Sequence, residues 1–331
     1  MTRLVAVLVT RVTSAPTQVQ RRSVSVSNTA IAGSAPDVSR RRKHRSDLGS
    51  ALLFILPASI GLVLFFIYPT IRGLYLSFTE YSILGSPEWV GMDNYAAIAR
   101  DPLFHNAILV TVQYVLINIV LQTACALGLA LLMNGIAQST FIRGTLLMPY
   151  LMANVIAALL WFWLLDYNIG IVNQFIEWVG LPRVAFFGSE TWAIPTQALI
   201  NTWRHMGYTA LLIFAGLQAI PNTVYEAAAI DGANPIQVFR RVTLPLLRPV
   251  IALVLVLTVT GSFQIFDTVA VTTQGGPVNA SRVMQFYIYQ RAFDQQDFGY
   301  GSALAVILFI ILGVIAFLQM KFLRGNESDL G

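Results

Sequence analysis

Near its end the chain reads GSALAVILFIILGVIAFLQM, residues 301–320, a run with no charged residue that stops at Lys321. An α-helix rises 1.5 Å per residue, so about 20 apolar residues cross the hydrocarbon core of a bilayer. Five other stretches have this length and character. The expected spans lie at 48–77, 106–134, 143–165, 192–219, 249–272 and 300–322. Backbone N–H and C=O groups inside a bilayer must find partners within the protein, which makes helices the spanning element for runs this long. The expected fold is an all-α polytopic membrane protein with six transmembrane helices.

Composition agrees. Of 331 residues 56% are apolar and only 11% charged, against about a quarter charged in soluble domains. Length alone suggests about two soluble domains, but the apolar residues come in runs, not periodic stripes. Positive charge sets the orientation. With the N-terminus cytoplasmic, fifteen of the 21 Lys and Arg residues fall inside, among them Arg40, Arg41, Arg42, Lys43, Arg45, Arg240, Arg241 and Lys321. Four fall outside: Arg100, Arg183, Arg282 and Arg291. Both termini are therefore expected in the cytoplasm, and the formal charge of +5 describes the inner membrane face, not a nucleic-acid site. Residues 1–46 read as a flexible basic cytoplasmic tail, since LVAVLV is too short for a secretory apolar region, with a mis-assigned start as the alternative. Residues 47–325 form the transmembrane domain and 326–331 a C-terminal tail. The one cysteine, Cys125, lies in an apolar run and reads as a small buried residue.

The most informative loop is PNTVYEAAAIDGANPIQVFRRVTLPLLRP, residues 221–249, expected on the cytoplasmic side. Thr223 with Glu226 has capping-box spacing and predicts a helix start. Asp231-Gly232 predicts its end, since glycine accepts the left-handed backbone that closes helices. Asn234-Pro235 predicts a second start, with Gln237 repeating the capping spacing. Pro245 and Pro249 are expected to end the element before the fifth span. The alanines 227–229 make the first helix slim enough to enter a cleft. Loop 166–191 carries the amphipathic IVNQFIEW, and loop 273–299 opens on the turn-forming QGGP.

Here the sequence resembles a known family. Glu226-Ala227-Ala228, then Gly232, then nine residues to Val242-Thr243-Leu244-Pro245 is similar to the EAA motif of binding-protein-dependent permeases, with Val242 in place of the usual Ile. The resemblance extends over most of 48–322. It includes Tyr68-Pro69, WVGMDNY, Pro149, Phe266-Asp267, Gly275-Gly276-Pro277 and Gly299-Tyr300-Gly301, and it points to the carbohydrate-importer branch. It implies a partner set of a second homologous permease, two ATPase subunits and an extracytoplasmic binding protein, in a bacterial cytoplasmic membrane. It assigns coupling to the ATPase to Glu226, Ala227, Ala228, Asp231 and Gly232 in the loop 221–248.

The chain itself lacks the marks of chemistry. It has no GxxxxGK[ST], no HExxH and no GxSxG. Three histidines and one cysteine make no zinc site. ATP and magnesium are therefore expected on the partner subunit, with no cofactor, metal or catalytic residue here. A secondary transporter is the rival reading, but such proteins place several ionisable groups in their spans. Here the deep ones are Arg204 and Asp267. Asn201, Arg204, His205 and Tyr208 sit at i, i+3, i+4 and i+7 on one helix face. They read either as a substrate path or as a polar seam against the partner subunit. The resemblance matches Asn201 and Tyr208 to sugar-contacting positions and places Gly261 and Gln264 on the pathway. Arg204 and His205 depart from that pattern. The expected cargo is a di- or oligosaccharide. The alternative is glycerol phosphate or another polyol or anion, for which Arg204 is the natural counter-charge.

Overall fold

The computed structural model describes residues 45–82, 85–135 and 139–324. The expected tails lie outside the described residues, apart from 45 and 46. The described residues divide into two units, 45–72 and those from 73 onward.

In the first unit the described residues are helical: α1 (Arg45–Leu62), a π-turn over Val63–Ile67, and α2 (Tyr68–Leu76), whose last turn belongs to the second unit. Pro69 removes one N–H from the helical ladder. The helix adjusts by widening: the Tyr68 N–H reaches back to the Val63 carbonyl, and the Thr70 hydroxyl donates to the Phe66 carbonyl at 2.6 Å. Its apolar side chains, such as Phe54 and Phe65, are exposed.

The second unit begins with a two-residue antiparallel ladder, β1 (Thr79–Glu80) on β2 (Glu88–Trp89), with Thr79 opposite Trp89. Helices follow: α3 (Asp93–Arg100), α4 (Pro102–Gly135), α5 (Thr140–Leu151), α6 (Asn154–Leu164), α7 (Ile171–Trp178) and α8 (Ala193–Gln218). Then come α9 (Asn222–Ile230), α10 (Pro235–Val238), a π-turn over Phe239–Thr243, α11 (Leu244–Leu246) and α12 (Arg248–Phe263). The last are α13 (Asp267–Thr272), α14 (Met284–Tyr289), a π-turn over Gln290–Asp294, and α15 (Phe298–Arg324).

Among the described residues four helical segments are long and apolar enough to cross a membrane: Leu53–Leu76, Pro102–Gly135, Arg248–Thr272 and Phe298–Lys321. Two of the six expected spans differ from a plain apolar helix. The span expected over 143–165 is a broken pair, α5 and α6, bent by 92°. Met152 and Ala153 are extended there, at ψ 144° and 142°. Pro149, within the last turn of α5, has no N–H to continue the ladder. The span expected over 192–219 is α8, long enough at 26 residues, but its polar run from Asn201 to Tyr208 keeps it out of the apolar set.

Helices α4 and α8 pack closely because small residues line their seam: Ala126, Ala130 and Ala210 are fully buried in one core cluster. Membrane helices approach through such residues. Gly207 shows how tight the packing is, since a Cβ there would lie 1.9 Å from the Leu146 carbonyl oxygen of α5. At the other end of α4, Ile98, Phe104, Met284, Tyr287 and Leu304 close a second cluster. Asp101 is pinned inside it. Its Oδ2 accepts from the phenols of Tyr287 and of Tyr300, the latter at 2.7 Å, and its Oδ1 accepts from the Leu103 N–H at 2.9 Å. Burial disfavours the charged carboxylate, yet these bonds outweigh it and hold Asp101 below the ordinary carboxylate range. Burial, with the bond to Asp101 second, pushes the Tyr287 phenol up to about 12.

Cys125 departs from expectation. It is exposed on α4, because the buried seam of that helix runs one residue on, through Gln122, Ala126 and Ala130.

Candidate functional site

Two regions hold the residues singled out by the sequence. The first is the turn between α9 and α10. The capping box expected from Thr223 and Glu226 does not form. The extended Pro221, at ψ 139°, is the N-cap and makes no side-chain bond. The helix thus starts at Asn222, which leaves Thr223 inside its first turn and away from the cap. The far end is as expected. Gly232 stands at φ +71°, the Gly232 N–H donates to the Ala229 carbonyl, and the Ala233 N–H donates to the Ala228 carbonyl. That is the paired closure of a helix on a left-handed residue. Asn234 and Gln237 then form a complete capping box, each side chain accepting from the other's backbone N–H at 2.9 Å. The helical run ends at Leu246, between the two prolines. Pro245 follows the π-turn over Phe239–Thr243, which widens the helix around its missing N–H as at Pro69. Pro249 falls in the first turn of α12, where its missing N–H breaks no bond.

On this turn Glu226, Ala227, Asp231 and Gly232 are exposed, while Ala228 is buried. Ile230 is 88% exposed and Ile236 62%, so two apolar side chains stand out among polar neighbours.

The second region is a cavity of about 200 Å³ between α8 and α12. Four of the six expected pathway residues line it: Asn201, His205, Tyr208 and Gly261. Arg204 and Gln264 are not part of the lining. Asn201 belongs to a hydrogen-bonded seam across three helices. Its Nδ2 donates to Asn118 Oδ1 at 2.9 Å. Asn118 Nδ2 donates to Ser262 Oγ at 2.8 Å, and Gln122 Nε2 to Thr209 Oγ1 at 2.9 Å. The polar seam anticipated as a contact with a partner subunit is, on this side, internal.

Arg204 is engaged at the break between α5 and α6. Its Nε and Nη2 donate to the Met152 carbonyl at 3.1 and 2.8 Å, and Nη2 also lies 3.2 Å from the Tyr150 carbonyl. These are carbonyls that the 92° bend leaves without helical donors, and cations stabilise such C-termini. Nη1 donates to His205 Nε2 at 2.9 Å. Since arginine cannot accept, His205 Nε2 is the acceptor, and its Nδ1–H donates to the Asn201 carbonyl at 3.0 Å. His205 is therefore the neutral tautomer with both ring nitrogens in use. Tyr150 stacks flat on Tyr208, 4.5 Å between centroids and 9° between planes. Asp267 is tied to Asn154 at 2.6 Å, which holds α13 to α6.

The cavity therefore offers neutral hydrogen-bonding groups and stacked aromatics, with no carboxylate, lysine or arginine among the described residues of its wall. Sequence reasoning passed over Gln122, Tyr150, Thr209, Thr258 and Ser262. A signal existed in two pairs. Asn118 with Gln122, and Thr258 with Ser262, are polar residues four apart in apolar helices and so share a face.

Residues 122–325 match the family of binding-protein-dependent transport system inner membrane components. The chain belongs to that family, as a permease subunit. It is 37% identical over 287 residues to the sulfoquinovosyl glycerol transport system permease SmoG of Agrobacterium fabrum, covering 85% of this chain and 93% of that one. It is 31% identical to AmyD of Thermoanaerobacterium thermosulfurigenes, a probable starch degradation products permease, covering 84% and 95%. Its structure is similar to a chain of a bacterial ABC transporter involved in import of the acidic polysaccharide alginate, with a TM-score of 0.74, 25% identity and coverage of 85% and 96%.

Proposed function

We propose that this chain is one of two paired membrane subunits of an ATP-driven importer that carries a neutral di- or oligosaccharide from an external binding protein into a bacterial cytoplasm. The observation that carries the substrate is the uncharged wall of the α8–α12 cavity, where Tyr208, Tyr150 and Asn201 face the space. Phenols suit sugar hydroxyls, since each both donates and accepts, and Asn201, whose Nδ2 is bonded to Asn118, adds its Oδ1 as an acceptor. The names of the relatives support a saccharide cargo. The exposed turn around Gly232 is the docking element for an ATPase, which binds ATP and magnesium, and the charge bias puts this turn in the cytoplasm. Glu226, Ala227 and Asp231 contact the partner, while the buried Ala228 holds α9 to the permease. ATP-driven closure of the ATPases moves this turn and swings the spans from inward- to outward-facing.

The test is uptake by vesicles reconstituted with both permeases, the ATPases and the binding protein. ATP supplied on the face bearing residues 221–248 drives saccharide in from the opposite face. Glu226→Lys and Gly232→Asp leave the complex in the membrane and abolish uptake. Normal uptake by both variants would exclude this turn as the coupling element.

A second reading is favoured by two observations: the structurally similar chain belongs to an importer of the acidic polysaccharide alginate, and Arg204 lies next to the cavity residue His205. If Arg204 is a counter-charge, Arg204→Gln lowers uptake of an anionic sugar about tenfold or more and spares a neutral one, since a charge-assisted hydrogen bond contributes about 1.5–3 kcal/mol. If Arg204 braces the helix break, both substrates lose alike. The ratio of the two uptake rates separates the readings.

A further inference from the structure

A second cavity, of about 520 Å³, opens at the end of the α12–α13 span away from α9. Its wall combines three aromatic rings, Phe266, Phe286 and Tyr289, with three polar side chains, Gln274, Gln290 and Asp294. Phe266 is central: its centroid lies 6.3 Å from Phe286 and 5.1 Å from Tyr289. The row continues outward to Phe293, 5.3 Å beyond Tyr289, and both of these rings are exposed. Among the described residues, the Gln274 amide and the Asp294 carboxylate make no side-chain hydrogen bond or ion pair. Gln290 Oε1 accepts from Arg282 Nη1 at 2.5 Å, which fixes that amide and leaves its NH₂ free.

In the α8–α12 cavity the donors are instead committed within the protein: Asn201 Nδ2 to Asn118 and Gln122, Gln122 Nε2 to Thr209, and His205 Nδ1 to the Asn201 backbone carbonyl. Gln274 adds a second sign. It closes α13 at φ +49°, with its N–H on the Val269 carbonyl at 2.8 Å, at a left-handed position that glycine usually fills. The sequence keeps a long amide there, and that amide is on the cavity wall.

We infer that this cavity is an outer saccharide subsite, which receives a neutral pyranose before it reaches the α8–α12 cavity. The inference rests on the importer reading, which makes this end of the span external. A pyranose has a face of C–H bonds that packs on the electron-rich face of an aromatic ring. Its rim hydroxyls donate to a carboxylate and accept from amide NH₂ groups. An apolar wall with a few placed polar groups is the usual make-up of a small-ligand site, and about 520 Å³ lies in the usual size range. Asp294 disfavours an anionic sugar here. Gln274 and Asp294 are exposed, so their polar groups meet water until a ligand displaces it.

The test uses the full complex in lipid nanodiscs, with 3-fluorotyrosine at position 289 and the binding protein omitted. Maltose, trehalose, maltotetraose and arabinotriose are titrated while the fluorine resonance is followed, with glycerol as control. At least one saccharide shifts the resonance saturably and glycerol does not. Gln274→Ala and Asp294→Asn each raise that dissociation constant about 2- to 10-fold, the worth of one hydrogen bond. The inference is overturned by a resonance indifferent to all four saccharides, or by a shift that both variants leave unchanged. It is equally overturned if assembly with the second permease moves the resonance and sugar does not, which makes the cavity a subunit contact. Vesicle uptake by the parent complex is read in parallel. Uptake with a silent resonance removes the subsite and keeps the importer; a responsive resonance without uptake leaves a saccharide-binding cavity but overturns its place on a transport path.

Discussion

Between Pro221 and Leu247 only Ala228, Thr243 and Leu247 are buried, whereas between Gln274 and Gly299 the chain buries Ser281, Val283, Met284, Phe286, Tyr287 and Ala292. These segments flank the same span, α12–α13. The first is held by bonds between near neighbours: the closure at Gly232 and the box of Asn234 with Gln237. The second is held from far away in sequence. The Asn279 carbonyl accepts from Asn106, the Met284 N–H donates to Thr111 Oγ1, and Tyr287 donates to Asp101. A segment that keeps its shape without the rest of the permease can present a surface and move with what docks on it. A segment bolted across α4 and α15 cannot move alone, so its part is to keep that end of the helices together.

The contrast is broken most severely at Gly299. A Cβ there would lie 2.1 Å from the Thr79 carbonyl oxygen, a backbone atom with no rotamer to yield. Overpacking costs about 1–3 kcal/mol where side chains can yield, and here none can. Gly299→Ala is expected to remove most folded protein from the membrane. Gly232→Ala meets nothing within 4 Å and suffers only the left-handed backbone, about 1–2 kcal/mol. Size-exclusion chromatography of fluorescent fusions in detergent measures both. Equal monodisperse peaks for the two variants would mean the distal segment is not the more tightly built.

Asp101 gives an intermediate effect with a pH signature. Its carboxyl is held below the ordinary range, so it binds protons less readily folded than unfolded. Its contribution is fully present above about pH 4, the unfolded value, and is lost as pH falls through the folded value. Asp101→Asn, which weakens the bonds from Tyr287 and Tyr300, is expected to cost about 1–3 kcal/mol at neutral pH. Thermal unfolding of the detergent-solubilised complex between pH 7 and pH 3 is the measurement. The gap between parent and variant narrows on acidification. A gap that stays constant to the lowest pH would show that the charge of Asp101 is not what holds Tyr287 and Tyr300.

The same division explains what the sequence reveals. Gly232, Asn234 and Gln237 were legible because their partners lie within five residues. The apolar spans were legible because a bilayer selects length and composition. Thr223 with Glu226 misled because spacing alone cannot show that Pro221 starts the helix earlier. The Asp101 cluster joins residues 186 and 199 apart, and no local pattern announces it. Arg204 was visible as a costly charge in a membrane helix. Its carbonyl partners at Tyr150 and Met152 were not, because they exist only once the helix of 143–165 breaks.

The smallest effect tests the autonomy of the proximal turn. Asn234 donates nothing to distant parts of the chain; its side chain caps α10 through the Gln237 N–H at 2.9 Å, and its own N–H is returned to Gln237 Oε1 at 2.9 Å. Replacing an N-cap Asn by Ala costs about 0.5–2 kcal/mol. Pro235–Val238 is the first turn of a helical run that continues to Leu246, so the loss frays that first turn. Because few side chains here are buried in the permease, the loss stays local. Asn234→Ala therefore leaves the unfolding temperature of the complex within error of the parent, while hydrogen exchange of the amides from 236 to 241 quickens several-fold. Uptake falls less than in Glu226→Lys, since the exposed contact residues of α9 keep their places. A drop in global unfolding temperature as large as that of Asp101→Asn would show that the turn draws its shape from the body of the permease, and the distinction between the two flanks of α12–α13 would fall with it.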